Sequence, residues 1–450
     1  MTHPPLLSFY GDDFTGASAV MEVLSFAGVP TMLFTKAPTA EMRARYPDMQ
    51  AIGIAGIARS QSPDWMRNTL PAIFDALKAT GAPLLHYKVC STFDSAPHVG
   101  SIGTAIELGA KYSAAGWVPL VVGAPDIGRY QVFGELFAAA GNTVHRLDRH
   151  PVMSRHPVTP MNEADLCTHL SKQTSLAMGK VTLDAMKTGR SDTALASCLQ
   201  NGAQVIAIDA LDTETLREAG RLIWQDGKIP VFAAGSQGIE YALVAHWQET
   251  GALPVIAETP SLAPVSQIFA VSGSCAPTTA AQIAHAENSG ALIIPFDAST
   301  AIAPDALEIE VTRVESLCLL ELQAGRDVIV CTARGPDDPA LTRMNAAIAN
   351  SDCSAATAND RLGAALGQLT RRIRLKTNLP RVAICGGDTS SHALSALDAD
   401  ALSALAPLAP GAPLCRLHSS TAQIDGLEVT LKGGQMGTPD FFQVLKSGKT

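Results

Sequence analysis

The stretch "LLSFYGDDFTGASAVMEVLSFAGVPTMLFT" (Leu6–Thr35) reads as one complete strand, turn, helix and second strand. Leu6–Tyr10 is a short apolar run. Ala17–Ala27 has helical spacing and stops at Gly28 and Pro30, and Thr31–Thr35 begins the next strand. Asp12 and Asp13 stand where the first strand ends, bracketed by Gly11 and Gly16. Two readings fit them. One is a tight turn with a helix N-cap. The other is a catalytic carboxylate at the carboxyl end of a strand, where open α/β sheets gather ligands.

The same grammar repeats along the chain. "AIGIAGIA" (Ala51–Ala58), "PLLHYKV", "VPLVVGAP" (Val118–Pro125), "QVIAIDA" (Gln204–Ala210) and "IPVFAAGS" (Ile229–Ser236) are apolar runs separated by helical segments. Ser62 or Asp64 can cap the helix that ends at Gly81. Continuous apolar strands alternating with helices predict a mostly parallel sheet covered on both faces. At "GALPVIAETPSLAPVSQ" (Gly251–Gln267), prolines 254, 260 and 264 oppose regular structure and predict a linker. The alternation then restarts, with a long helix expected near Asn359–Lys376. The expected fold class is therefore two α/β domains with mostly parallel sheets, residues 1–252 and 267–450, joined by a linker at 253–266.

With 450 residues and 47% hydrophobic content, the chain can bury more than one core. A net charge of −9 disfavours nucleic acid as a partner. The basic segment "HRLDRHPVMSRHP" (His145–Pro157) is too short to reverse that and suits an anionic small molecule or a solvated loop, of which the solvated loop is the expectation. Nine scattered cysteines without a C-x-x-C pair point to a reducing compartment. No signal peptide and no membrane-length apolar run is evident, so the expected location is cytoplasmic. His145, His150 and His156 lack the spacing of a helical zinc pair, and no metal site is expected from them.

Chemistry concentrates in strand-to-helix turns. In the second domain, "AVSGSCAPTTAAQI" places Ser272, Gly273 and Ser274 after a strand, "VAICGGDTSSHAL" places Gly386, Gly387, Asp388 and Thr389, and "LKGGQMGTPDFF" adds Gly433, Gly434 and Gly437. Small residues let backbone N–H groups approach a phosphate at a helix N-terminus. Three such turns in one domain point to a nucleotide-phosphate site. Neither a Walker A sequence nor a dinucleotide fingerprint is present. In the first domain, "HYKVCSTFDSAPHVGSIG" (His86–Gly103) gathers Lys88, Ser91, Thr92, Asp94 and Ser95, a set suited to a small polyhydroxylated anion. Arg59 ends another strand, and "APDIGRYQVFG" (Ala124–Gly134) places Asp126 and Arg129 after a third. Cys275 and Cys385 read as small turn residues.

"YGDDFTGA", "KVCSTFDS", "GR", "HPVTPMNEADL" (His156–Leu166), "VSGSC", "GGDTS" and "LKGGQMG" occur in this order, and over nearly the whole chain the set resembles the four-carbon acid sugar kinase family. The resemblance implies a sugar-acid-binding first domain, an ATP-binding second domain and an active site in the cleft between them. The implied reaction is phosphorylation of a terminal hydroxyl of a threonate, an erythronate or a 3-oxo-tetronate. It implies catalytic roles for Asp12 or Asp13. Substrate contacts would come from Arg59, Lys88, Cys90, Ser91, Thr92, Asp94 and Arg129. ATP contacts would come from Ser272, Gly273, Ser274, Gly386, Gly387, Asp388, Thr389 and Gly434. ATP and Mg²⁺ are the implied cofactors, the partners are small molecules, and a homodimer is the default assembly.

The chain departs from the family pattern at three points. Asp388 stands where a glutamate is expected, "KGGQMG" replaces K-S-G-N-F-G, and the segment after Asp94 lacks an arginine-glycine pair. The last difference leaves the acid itself open. Two rival readings stand beside the kinase: a sugar-acid aldolase or dehydratase working through Lys88, and a non-catalytic sugar-acid or nucleotide sensor.

Overall fold

The computed structural model describes residues 4–156, 158–256 and 260–448, with the Asp388 side chain outside the described set. The chain forms two compact units, Met1–Ala257 and Glu258–Thr450.

The first unit is built on Leu7–Gly11 (β1), Thr31–Phe34 (β2), Ala51–Ala55 (β3), Leu84–Lys88 (β4) and Val118–Val121 (β5). Three more strands complete its fold on the far side of an antiparallel insertion. That insertion pairs Arg129–Val132 (β6), Glu135–Ala140 (β7) and Thr143–Arg146 (β8). After it come Met178–Val181 (β9), Val205–Ile208 (β10) and Val231–Gly235 (β11). The main sheet runs β2-β3-β1-β4-β11-β5-β10-β9, and every pair in it is parallel. Strands β1, β2, β4, β5, β10 and β11 are buried at every position, which explains their mostly apolar sequences, with Ser8, Thr31, His86 and Lys88 as buried polar exceptions.

From β1 the chain passes through helix Phe14–Phe26 to β2 and β3 on one side. From β3 it crosses through helix Pro63–Lys78 to β4 on the other side. Helix Pro63–Lys78 packs with helix Ile102–Ala110, whereas helix Phe14–Phe26 packs with helix Gly238–Glu249. Adjacent strands β1 and β4 thus form a topological switch point, where a crevice opens at their carboxyl ends. Gly11 is in register with both Ala55 and Lys88, so the three strand ends are level. Below them, Tyr10 stacks on Tyr87 at 5.9 Å, and Phe74 meets Tyr87 at 6.1 Å and Phe232 at 5.5 Å, edge-on.

The segment expected as a solvated loop at His145–Pro157 is partly structured. It ends β8 and continues into two short 3-10 turns whose Leu147 and Met153 are buried in the core. Arg146 pairs with Asp148 and Glu135 rather than facing solvent alone.

The second unit carries Phe269–Ser272 (β12), Leu292–Pro295 (β13), Val328–Cys331 (β14), Arg381–Cys385 (β15), Ala399–Ala409 (β16), Ala412–Ser419 (β17) and Glu428–Lys432 (β18). Their order is β13-β14-β12-β15-β18-β17-β16, parallel through β18 and antiparallel beyond it. From β12 the chain goes one way to β13 and β14, then crosses back to β15, which makes β12 and β15 a second switch point. Ser272 is in register with Cys385, and Cys385 with Lys432. Among the described residues, no helix is long and apolar enough to cross a membrane.

Candidate active site

The first unit's switch point is locked by the backbone before any side chain acts. Asp12 N–H donates to the Lys88 carbonyl (2.9 Å), and the Asp12 carbonyl accepts from Arg59 N–H (3.0 Å). The residues that follow β1, β3 and β4 are therefore tied together. Arg59 sits on the short turn Ala58–Ser60, and its Nη2 lies 3.2 Å from Asp12 Oδ1 and 3.0 Å from Asp13 Oδ1.

The two aspartates have different environments. Asp13 N-caps helix Phe14–Phe26, accepting from Gly16 N–H at 2.8 Å. Asp12 is buried, and among the described residues no donor reaches its second oxygen. Burial pushes its carboxyl up to about 6, opposed by Arg59 and reinforced by Asp13.

Lys88 is buried at the end of β4 and lies across Gly16. A Cβ at Gly16 would stand 2.2 Å from Lys88 Nζ and 2.3 Å from Asp13 Oδ1. Among the described residues Lys88 Nζ makes no hydrogen bond or ion pair. A buried ammonium without an acceptor is costly, and an anionic ligand would compensate it.

The turn after β4 carries a short polar chain. Cys90 Sγ meets Thr92 Oγ1 at 3.0 Å, and Thr92 Oγ1 donates to Asp94 Oδ1 at 2.7 Å. Burial pushes Asp94 up, but the Arg59 charge and hydrogen bonds from Thr92 and Cys90 outweigh it and hold the carboxylate below its ordinary range. Burial pushes the Cys90 thiol up, so it is a polar wall of the site and not a thiolate nucleophile. Ser91 is half-buried and makes no hydrogen bond among the described residues. Ser95 is drawn away from this group toward His169 and Gln173. Arg129 begins β6 and spends Nη1 on the carbonyls of Ile127, Gly128 and Ala139, while its buried Nε has no partner. Its hairpin is held by Asp209, whose carboxylate accepts from the N–H groups of Phe133, Gly134 and Leu183.

The second unit brings its three glycine turns into contact. A Cβ at Gly273 would fall 2.2 Å from Thr389 Oγ1, and one at Gly434 would fall 2.7 Å from Ser274 Oγ. Ser272 Oγ accepts from Ser274 N–H, and Ser274 Oγ from Ala276 N–H at the start of helix Pro277–Asn288. Gly386, at φ 121, turns the chain into helix Gly387–Ala396 through a conformation that side-chain-bearing residues avoid. Around Gly387 nothing lies within 4 Å of a Cβ position. Two helix N-termini and a set of small residues therefore face one switch point, the arrangement that receives phosphate groups.

Residues 7–243 match the family model described as a sugar-binding N-terminal domain, and residues 269–442 match a nucleotide-binding C-terminal domain. The chain belongs to the four-carbon acid sugar kinase family. A 3-oxo-isoapionate kinase from Paraburkholderia graminis is 45% identical over 444 residues, covering 99% of this chain and 94% of the relative. A 3-oxo-tetronate kinase from Pseudomonas savastanoi pv. phaseolicola is 28% identical, covering 97% and 96%. A solved structure from Salmonella typhimurium LT2 superposes with a TM-score of 0.80 at 21% identity, covering 97% of this chain and 98% of the other. A Haemophilus influenzae protein gives 0.73 at 22%, with the same coverage. These two establish the shared fold.

Asp12, Asp13, Arg59, Lys88, Cys90, Thr92 and Asp94 come together where β1, β3 and β4 end, through the ion pairs of Arg59, the closeness of Lys88 to Asp13 across Gly16, and the Cys90–Thr92–Asp94 hydrogen bonds. Ser272, Gly273, Ser274, Gly386, Gly387, Thr389 and Gly434 come together at the other unit's switch point. The Asp388 side chain lies outside the described residues.

Sequence reading missed Lys432. It is fully buried, and its Nζ donates to Thr279 Oγ1 (3.1 Å), Gly433 O (3.1 Å) and Met436 O (3.4 Å), while Thr279 Oγ1 donates to Gly434 O (2.9 Å). Lys432 thus shapes the Gly433–Gly434 turn from beneath. Its place at the end of an apolar run was the available signal. Gly273→Ala is expected to raise the KM for ATP about tenfold, because Thr389 must move. Steady-state kinetics with ATP varied would check it, and an unchanged KM would sink the role given to this turn.

Proposed function

We propose that this kinase transfers the γ-phosphoryl group of ATP to a hydroxyl of a 3-oxo sugar acid, with 3-oxo-isoapionate preferred to 3-oxo-tetronate. The observation that carries the chemistry is Asp12. It is buried and oriented by Arg59 through one oxygen, and among the described residues its other oxygen meets no donor and the neighbouring Lys88 has no partner. The preference for substrate rests on identity, 45% to the 3-oxo-isoapionate kinase against 28% and 29% to two 3-oxo-tetronate kinases.

In this reading the substrate carboxylate pairs with Lys88, and its hydroxyls meet Thr92, Asp94 and the remaining N–H groups of Arg129. The acceptor hydroxyl lies at the free oxygen of Asp12. As its oxygen bonds to the γ-phosphorus and the bond to ADP breaks, its proton passes to Asp12. Asp13 holds the helix and Arg59, and is not the base. The Ser272–Ser274, Gly386–Thr389 and Gly434 backbones receive the phosphates of ATP. Among the described residues no three His, Cys, Asp or Glu side chains gather to hold a metal ion. Mg²⁺ would be carried with the nucleotide phosphates and supply charge neutralisation there.

The test is ADP release with MgATP against 3-oxo-isoapionate, 3-oxo-tetronate and the D and L forms of threonate and erythronate. The expected result is a kcat/KM for 3-oxo-isoapionate at least about tenfold above the rest. A higher value for any four-carbon acid would overturn the preference. No turnover from folded protein that still binds ATP would overturn the substrate class.

A further inference from the structure

The loop that carries Thr92 and Asp94 is held in an unfavourable shape by residues far along the chain. Phe93 is fully buried yet has φ 56, a left-handed conformation that bulky residues avoid. Something must hold it there. Ser95 Oγ lies 3.1 Å from the Phe93 carbonyl, 2.8 Å from His169 Nε2 and 2.9 Å from Gln173 Nε2. One hydroxyl has one proton and two acceptor sites. Gln173 Nε2 also lies 3.0 Å from His169 Nε2, so Ser95, His169 and Gln173 close a triangle in which the Gln173 amide donates and Ser95 is tied to both side chains whichever way its own proton turns.

The surroundings fix the orientation of the Gln173 amide. Gln173 Oε1 accepts from Gly103 N–H at 3.2 Å, which orients its amide with the nitrogen toward Ser95. A Cβ at Gly103 would collide with Gln173 at 2.6 Å, so the two are packed as closely as glycine allows. The His169 ring lies 5.7 Å from the Phe93 ring, and burial holds its pKa well below neutrality, so the ring carries a single proton. Nδ1 is buried without a partner.

We propose that His169 and Gln173 are positioning residues that, through Ser95, impose the strained Phe93 turn and thereby aim Thr92 and Asp94 at the sugar acid. They touch no reacting atom. The proposal rests on the reading of the Lys88–Asp94 turn as the substrate loop.

The test measures KM for the sugar acid that the wild type turns over, KM for ATP, and kcat, in the full chain. His169→Phe keeps the ring packing and removes the polar contact to Ser95. His169→Gln restores a hydrogen-bonding partner of similar reach. The expected result for His169→Phe is a rise of about tenfold in KM for the acid, with KM for ATP within about twofold. His169→Gln should recover most of the loss. In an Asp94→Asn background, His169→Phe should add little, because the group it aims is already disabled. Should His169→Phe not fold, Gln173→Glu, which turns a donor into a second acceptor against Ser95, reads the same quantities. Equal rises in both KM values, full additivity with Asp94→Asn, or no effect of either variant would overturn the proposal. Absence of wild-type turnover would instead count against the substrate reading, and the two failures are told apart by that control.

Discussion

Asp12→Asn is expected to lower kcat by about 10²–10⁴-fold, the range that a positioned general base supplies. Asparagine keeps the shape and still meets Arg59 with its carbonyl oxygen, so the loss reports proton transfer rather than collapse of the site. Asp13→Asn should behave differently. An asparagine caps a helix about as well as an aspartate, so this variant should keep most of its activity. The comparison checks the division of labour that separates a base from a cap. Near-wild-type kcat in Asp12→Asn would remove the base from the mechanism.

The same carboxyl predicts the pH profile. Its pKa is raised by burial to about 6, and the base works only when deprotonated. kcat/KM should therefore be full above that value and fall as pH drops through it, well before an ordinary aspartate would titrate. Arg59 is the strongest influence lowering this pKa. Arg59→Gln should move the acidic limb to higher pH. A limb that stays in place would mean that another group titrates.

Gly16→Ala should separate stability from function. In a helix, alanine is favoured over glycine by about 0.5–1 kcal/mol. Local propensity alone therefore predicts a harmless or stabilising change. The tertiary structure predicts otherwise, because the new methyl would occupy the space of Lys88 Nζ and Asp13 Oδ1. The Lys88 and Asp13 side-chain ends can swing away, and the helix propensity gained roughly offsets the weakened Asp13 cap, so the fold should survive with a Tm close to that of the wild type. The site should not, since a displacement of about 1 Å can cost about 10²-fold in rate. The expected outcome is an intact melting curve with kcat/KM for the sugar acid lowered about 10²-fold and KM for ATP unaffected. Normal kinetics would mean that Lys88 has no fixed place in the site.

The parallel strands and both phosphate-type turns were legible in the sequence because strands buried on both faces must be continuously apolar, and because small residues must follow a strand wherever a backbone approaches a ligand. Phe269–Ser272 before its last residue and Arg381–Cys385 after its first are apolar and are followed by Gly273 and Gly386, whereas Leu7–Gly11 and Leu84–Lys88 are mostly apolar with Ser8, His86 and Lys88 buried among them. Asp12, Asp13, Arg59 and Lys88 were legible as candidates for the same reason: each follows a strand of one sheet. Strands Ala399–Ala409 and Ala412–Ser419 were not legible. Their alanine- and leucine-rich sequence favours helix, and only pairing with each other and with Glu428–Lys432 makes them strands.

By itself, then, the sequence determined the α/β class, the two-domain plan and the small-residue turns that follow the strands, since these follow from local periodicity and turn chemistry. The tertiary structure decided which aspartate caps and which stays free, what Gly16 makes room for, and why Lys432, His169 and Gln173 matter. Those are contacts between residues as much as 153 positions apart, as with Lys432 and Thr279. No local pattern encodes them, because they arise only when strand ends are brought level at a switch point.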